Sequence, residues 1–558
     1  MQTVMRNCLF AVVAVVCGMF CASSSFGAQG TPSGTKPAAT AGFKVAGVVV
    51  SATAGTPLRE TRVTLVNTRN RREAVWIITR EDGRFEFAGL GAGKYSLQGA
   101  RRGYIPAAYQ QHEQFSTAIV TGEEFDTQNL TLRLVPMAML TGKVLDEYGE
   151  GVRDARVRLY VESHRAGATR VTTASGATTD DQGTFEFTPL GPGKYYVSVS
   201  AKPWYAVHPA SLTSEGAANA ALAVDRSLDV AYPTTYSGGA TEAEGAEGIA
   251  IKAGDHAQID IHLSPAQALH LIFHVADNGE HGFRPPIFQK RSFDTVELAP
   301  AEGMQQISQG IFEMSGIPAG KYSLRMPGNG SEQMAQAEVE LKQDGQDLDE
   351  LRGEPASRVK LSVKIPKEGP LPRQINVGLQ DGQHRIVAFS QLDASGEATF
   401  EDLAAGKYGI YIFVPGKAYS VARMTSGDTQ IYGHEFNLPL GTSQEWSVSL
   451  AEGKTKIEGF AKRGGKAASG VMVVLVPKDP ETHQDMFRRD QSDLDGSFVL
   501  PDVVPGSYTV VAVEDAWGFD WSNPTLLARY AEHGQTLMIG ELIQGAVHLP
   551  EPVELQPH

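Results

Sequence analysis

The stretch Gly83–Leu97, GRFEFAGLGAGKYSL, comes back four times without a gap. The copies are GTFEFTPLGPGKYYV from Gly183, GIFEMSGIPAGKYSL from Gly310, GEATFEDLAAGKYGI from Gly396 and GSFVLPDVVPGSYTV from Gly496. In each, a tyrosine stands twelve residues after the first glycine: Tyr95, Tyr195, Tyr322, Tyr408 and Tyr508. A second glycine precedes it by two, at Gly93, Gly193, Gly320, Gly406 and Gly506. A gapless repeat at this spacing marks internal duplication, so one answer about the unit serves for the whole chain.

The unit reads as strand, turn, strand. Phe85 and Phe87 alternate with Arg84 and Glu86, the period of a half-buried strand. Gly91 and Gly93 bend the chain, and Tyr95 and Leu97 resume the same apolar face. The spacing predicts that the tyrosine ring is buried and its hydroxyl reaches a backbone acceptor, as at the tyrosine corner of sandwich folds. Upstream of three copies lies a second shared pattern, GVVVSATAGTPLRETRVTL from Gly47, GKVLDEYGEGVRDARVRL from Gly142 and GFAKRGGKAASGVMVVL from Gly459. Each is a strand, a polar turn and a strand; the third and fourth copies carry blurred versions. Downstream, IVTGEEFDTQNLTLRL and IAIKAGDHAQIDIHL end in alternating apolar residues.

Some seven short strands per unit predict an all-β chain, a tandem array of about five immunoglobulin-like or transthyretin-like β-sandwich domains. The units are placed at 41–136, 137–264 (with a long Ala- and Gly-rich surface loop from Val207 to Gly248), 265–355, 356–450 and 451–558. Residues 28–40 are a flexible leader. The abundance of glycine, 59 in 558 residues, fits many short elements joined by turns.

Residues 1–27 read as a signal peptide. Arg6 precedes the apolar run Cys8–Phe20, which is too short to span a bilayer, and small residues offer cleavage after Gly27. No later stretch approaches membrane-spanning length, so the mature chain has no transmembrane segment. The expected location is periplasmic, cell-surface or secreted. Cys8, Cys17 and Cys21 all lie in this leader, so the mature chain has no thiol chemistry and each domain relies on its apolar core. The formal net charge of −15 argues against nucleic acid, which selects basic surfaces.

The G-x-F-x-F-x-x-L-x-x-G-x-Y-x-L hairpin resembles the bacterial carboxypeptidase regulatory-like domain, most closely over 41–264 and 451–558. The resemblance implies a transthyretin-like sandwich, grouped with carbohydrate-binding-like folds, and it confers no peptidase activity. The hairpin also resembles the B-type domain of collagen adhesins, whose internal isopeptide bond needs an acid four residues after the tyrosine. Here those positions are Gly99, Val199, Met326, Ile412 and Ala512, so no such cross-link is expected.

No catalytic set emerges. The single His-x-x-Glu, His548 to Glu551, lies in a Pro-interrupted tail that cannot be helical, and a zinc site wants a third ligand. The Gly-rich run at 89–94 leads into a strand, so it has no helix N-terminus for phosphate. Asp493-Leu-Asp495-Gly496, Asp180-Asp181-Gln-Gly183 and Glu81-Asp82-Gly83 resemble short calcium loops, but hairpin turns demand the same residues. No metal and no cofactor is expected. Trp76 and Trp446 read as core or edge packing.

The remaining candidates are aromatic. Trp517, Phe519 and Trp521 alternate near the end of the last domain, and Trp204 and Tyr205 follow the hairpin of the second. Exposed rings of this kind stack on sugar faces; alternatively they cover the open end of a sandwich. The sequence therefore describes an exported, non-enzymatic modular scaffold acting on a protein partner or a cell-envelope polysaccharide. The alternatives are a carbohydrate-binding protein using these rings and an accessory subunit of a peptidase or outer-membrane transporter.

Overall fold

The structure is a computed structural model. It describes residues 42–557 except 165–166, 209–224, 275–285, 300–302, 309, 328–333, 349–355, 365–373, 383–384, 428 and 432–433. The signal segment and leader lie outside the described residues.

The chain is all-β. Among the described residues the only α-helix is Pro524–Ala531, capped by the Asn523 side chain, which accepts from the Thr525 and Leu526 amides. The first sandwich sets the pattern. Phe43–Ser51 pairs antiparallel with Arg84–Leu90 and parallel with Leu130–Pro136. Facing it, Arg62–Asn67 lies between Ala74–Ile78 and Gly93–Ala100. Alternate residues of both sheets (Val45, Val49, Val63, Leu65, Phe85, Phe87, Leu97, Leu132) close one core.

The same parallel closure of first on last strand recurs as Ala138–Leu145 with His256–His262, Leu269–His274 with Gln346–Asp347, and Ser357–Lys364 with Ser443–Glu452. Four further cores follow, one around Leu140 and Val197, one around Leu271 and Leu324, one around Leu361 and Ile410, and one around Ile457 and Val510. The third and fourth units each keep two facing sheets. In the fifth, Val553–Gln556 pairs with both Thr455–Arg463 and Gly506–Val513 and joins the strands into one nine-stranded sheet.

One register explains why the upstream pattern blurs in the third and fourth copies. In the first, second and fifth sandwiches the glycine of the first strand faces a repeat phenylalanine: Gly47 with Phe85, Gly142 with Phe185, Gly459 with Phe498. The ring lies so close that a Cβ would fall 2.9, 2.7 and 2.7 Å from its tip. The third sandwich sets Phe273 against Phe312 as a stack, and the fourth sets Leu361 against Ala398. The fourth exchanges large for small across the pair, so the core stays filled without glycine.

All five repeat tyrosines make the same bond. Each hydroxyl donates to the carbonyl four residues before it: Tyr95 to Gly91 (3.1 Å), Tyr195 to Gly191 (3.0 Å), Tyr322 to Pro318 (2.8 Å), Tyr408 to Ala404 (2.8 Å) and Tyr508 to Val504 (2.7 Å). The bond thus gives a donor to a carbonyl in the turn between the two strands.

The described part of the 207–248 insertion is more than a surface loop. Thr235–Tyr236 adds to the second sandwich, Val230–Ala231 pairs with Ala266–Gln267, and Tyr232, Tyr236 and Asp229 are buried. Its aromatic run gives it apolar area that an Ala- and Gly-rich composition hides.

Candidate functional site

Of the aromatic and acidic residues singled out above, Asp493, Trp517 and Trp521 reach across junctions between sandwiches. In the repeat turn, Asp180 and Asp393 accept amides of their own turns, from Gln182 and Thr184 and from Ser395 and Glu397. Asp493 holds the same position in the fifth copy, but its carboxylate leaves the domain. Oδ1 accepts from the Ala118 amide (2.8 Å) and Oδ2 from Lys94 Nζ (2.5 Å), both in the first sandwich. Asp495 takes over the local bond from the Ser497 amide (3.0 Å). The acids of DLDG are thus engaged by turn and junction donors. Burial pushes the Asp493 carboxyl upward, and Lys94 pulls the other way.

Around this contact the first and fifth sandwiches share a polar seam. The Leu494 amide donates to Ala118 O (3.0 Å), Thr117 Oγ1 to Ser492 O (3.2 Å) and Gln491 Nε2 to Gln110 O (2.6 Å). Arg489 pairs with Glu113 while its guanidinium lies over the Trp521 ring, 4.4 Å from the centroid. Asp490, behind this seam, is pushed by burial to about 6.

The rings at 517, 519 and 521 belong to the same junction. Trp517 stacks on His112 of the first sandwich at 4.6 Å and 3°. Phe519 packs on Tyr530, and Trp521 packs on Phe487 and donates from Nε1 to His164 O (3.2 Å) of the second sandwich. Asp520, between them, accepts from Thr169 Oγ1 (2.9 Å) and bonds His164 Nδ1 (3.0 Å). These rings are part-buried against a second apolar cluster of the fifth sandwich and do not form an open row. Their alternation in sequence carried no sign of this, because they lie on a 3-10 turn and the bend and turn after it and their partners lie in distant domains.

Trp204 and Tyr205 are placed differently. The Trp204 ring meets Tyr205 edge-on and is 86% exposed. Tyr205 and Tyr232 both donate to Glu147, and its neighbour Tyr148 is 80% exposed. Burial pushes Glu147 upward, but the two phenols bring it below the usual carboxylate range. Trp446 is a core residue beside Phe436, whereas Trp76 sits exposed on the strand Ala74–Ile78. His548 pairs with Glu458 at 3.3 Å rather than with Glu551.

The second and third sandwiches meet through residues with no repeat signature. Phe293, at the tip of a hairpin with φ +56°, enters a cage of Tyr160, Tyr196 and Tyr236, with ring centroids 5.0, 4.8 and 5.9 Å away. Beside it Tyr160 donates to Glu297 (2.8 Å). His270 is buried between two carboxylates, Nε2 to Asp229 at 2.7 Å and Nδ1 to Glu313 at 2.9 Å. Burial alone would lower the imidazole; Glu313 and Asp229 outweigh it and raise it to about 9. Nothing in the repeat pattern singles out these residues.

The model of the carboxypeptidase regulatory-like domain matches residues 44–134 and again 139–225. The first two sandwiches thus match carboxypeptidase regulatory-like domains within a multi-domain chain. Residues 451–532 match the model described as BOS complex subunit NOMO1-like, second beta sandwich domain. No curated protein matches the chain. Among solved structures, the Bacillus anthracis TIE protein is 14% identical over 74% of this chain and 69% of its own, with a TM-score of 0.16. A Streptococcal ancillary pilin is 12% identical over 50% of this chain and 98% of its own, with a TM-score of 0.20. The shaft pilin SpaA from Lactobacillus rhamnosus GG is 13% identical over 40% and 98%, with a TM-score of 0.18. Scores this low have no bearing on function. Among the described residues, no helix is long and apolar enough to cross a membrane, and no group of three His, Cys, Asp or Glu is placed to hold a metal ion.

Proposed function

We propose that this protein is an exported, non-enzymatic scaffold in the periplasm or at the cell surface, with the fifth sandwich docked on the first and second. One observation carries the reading. Asp493, a repeat-turn residue with purely local bonds in the second and fourth copies, is spent in the fifth on Lys94 and Ala118 of another domain. The aromatic run 517–521 serves the same junction. Side chains committed this way hold domains at set distances, which is what a scaffold requires and an array on loose linkers lacks.

A second reading is favoured by the exposure of Trp204 and Tyr148. Held beside the Glu147 clamp, they offer the second sandwich a platform for a cell-envelope polysaccharide. Pelleting residues 28–558 with insoluble polysaccharides and peptidoglycan separates the two. The scaffold reading expects the protein to stay in the supernatant. Depletion that Trp204→Ala abolishes would replace it with glycan binding through the second sandwich.

A further inference from the structure

Each sandwich has an edge strand at the same place, antiparallel to the strand before it: Ala74–Ile78, Arg170–Thr178, Thr295–Leu298, Ile386–Gln391 and Arg488–Gln491. Such a strand presents a row of unpaired amides and carbonyls. Three of the five are used inside the chain. The edges of the second and third sandwiches meet where the Val171 amide donates to Asp294 (2.9 Å) and Tyr160 to Glu297. The edge of the fifth meets the first through Arg489 and Gln491. The second and fifth edges are polar, RVTTASGAT and RRDQ.

The first and fourth edges, AVWII and IVAFSQ, are the opposite. Among the described residues each pairs with one neighbouring strand only. Val75, Trp76 (62%) and Ile78 are exposed on the first, and Ile386, Val387 and Phe389 on the fourth. Apolar side chains on a bare edge are a template for another strand.

Charge names the occupant of the first edge. Arg69, Arg71 and Arg72 precede it and Glu81 and Asp82 follow it, all exposed. Among the described residues no acid pairs with those three arginines, in a chain whose net charge is −15. The edge is therefore basic at one end and carries two acids at the other, each held only by an exposed surface pair that can exchange, Glu81 with Arg59 at 3.1 Å and Asp82 with Arg84 at 3.8 Å. On the fourth edge the corresponding arginine, Arg385, is already tied to Asp381 at 2.6 Å.

We propose that Ala74–Ile78 is a self-association strand, and that its partner is the same strand of a second copy of this chain. Antiparallel pairing of Ala74–Ile78 centred on Trp76 brings the turn before the strand, with Arg71, towards the turn after it in the other copy, with Glu81. It also brings Arg72 towards Arg80, a like-charged pair at exposed positions that salt screens. The contact is two-fold symmetric and closes on itself, so it yields a dimer rather than a filament. Parallel pairing would set the arginine ends together.

The test is sedimentation velocity of residues 28–558 from about 1 to 100 µM, a range that captures micromolar association. The expected result is a monomer–dimer shift across that range. The double variant Val75→Lys/Ile78→Lys changes two exposed side chains, and an unchanged thermal melt confirms its fold. It is expected to weaken association at least about tenfold. Arg71→Glu and Glu81→Arg each weaken it, and combining them restores it. A wild-type chain that stays monomeric overturns the proposal and leaves the edge to a strand of a different protein. A dimer that Val75→Lys/Ile78→Lys leaves intact places the contact elsewhere and overturns it too. Loss without rescue in the combined charge reversal refutes the Trp76-centred pairing.

Discussion

Asp493→Ala tests whether the fifth sandwich is held by its own turn or by the first sandwich. The substitution removes the acceptor of the Ala118 amide and the partner of Lys94. A hydrogen bond to a charged acceptor contributes about 1.5–3 kcal/mol. The Lys94 side chain is a third exposed, so its ion pair is discounted to below about 1 kcal/mol. Burial of the Asp493 carboxylate opposes both, because its upward-shifted pKa marks a charge held at a cost. The net loss is about 2 kcal/mol, roughly a thirtyfold rise in the population of the opened junction. The turn itself survives, since Asp495 accepts the Ser497 amide.

The assay is amide hydrogen exchange on the full chain. Exchange at Ala118 should accelerate by about thirtyfold, while the core strand Gly93–Ala100 keeps its protection. Asp493→Asn, which keeps an acceptor for Ala118, should give a smaller change. Asp180→Ala, at the equivalent place in the second copy, should free only Gln182 and Thr184. Undiminished protection of Ala118 in Asp493→Ala would refute the reasoning, because the amide would then have another reason for slow exchange.

Three further outcomes follow from two buried ionisable groups and one interdomain ring. His270 has its pKa raised to about 9, so its ion pairs contribute fully below about 6.5 and are lost as pH rises through 9; thermal melts between pH 7 and 10 should show that loss, and His270→Gln should flatten it. Asp490 is raised to about 6, so it binds a proton more readily folded than unfolded and its burial costs up to about 3 kcal/mol once pH rises above 6; Asp490→Asn should raise the melting temperature at pH 8 and leave it nearly unchanged at pH 4. Phe293→Ala empties the cage of Tyr160, Tyr196 and Tyr236 at a cost of about 3 kcal/mol, and limited proteolysis should then cut first between the second and third sandwiches.

The repeat hairpin was legible in detail. Period-2 alternation placed Phe85 and Phe87 in a core, and the fixed glycine-to-tyrosine spacing implied a buried ring with a backbone acceptor, the bond made at all five positions. The blurred copies were legible as strands but not as registers. That Leu361 faces Ala398 while Gly47 faces Phe85 is a volume exchange across a sheet, which neither strand shows alone. The insertion of the second domain reads as an Ala- and Gly-rich loop, whereas its Tyr232 and Tyr236 are buried.

What the sequence determined by itself is the unit, because everything that makes a sandwich here is written within about 100 residues of local alternation and turn chemistry. What only the tertiary structure decided is which copies of equivalent residues act between domains. Lys94 and Asp493 are 399 residues apart, and nothing in either repeat distinguishes them from their counterparts. The turn aspartate of the second, fourth and fifth copies has two lone-pair-bearing oxygens in each. Whether they face the turn, water or another domain depends on what the folded chain brings against them.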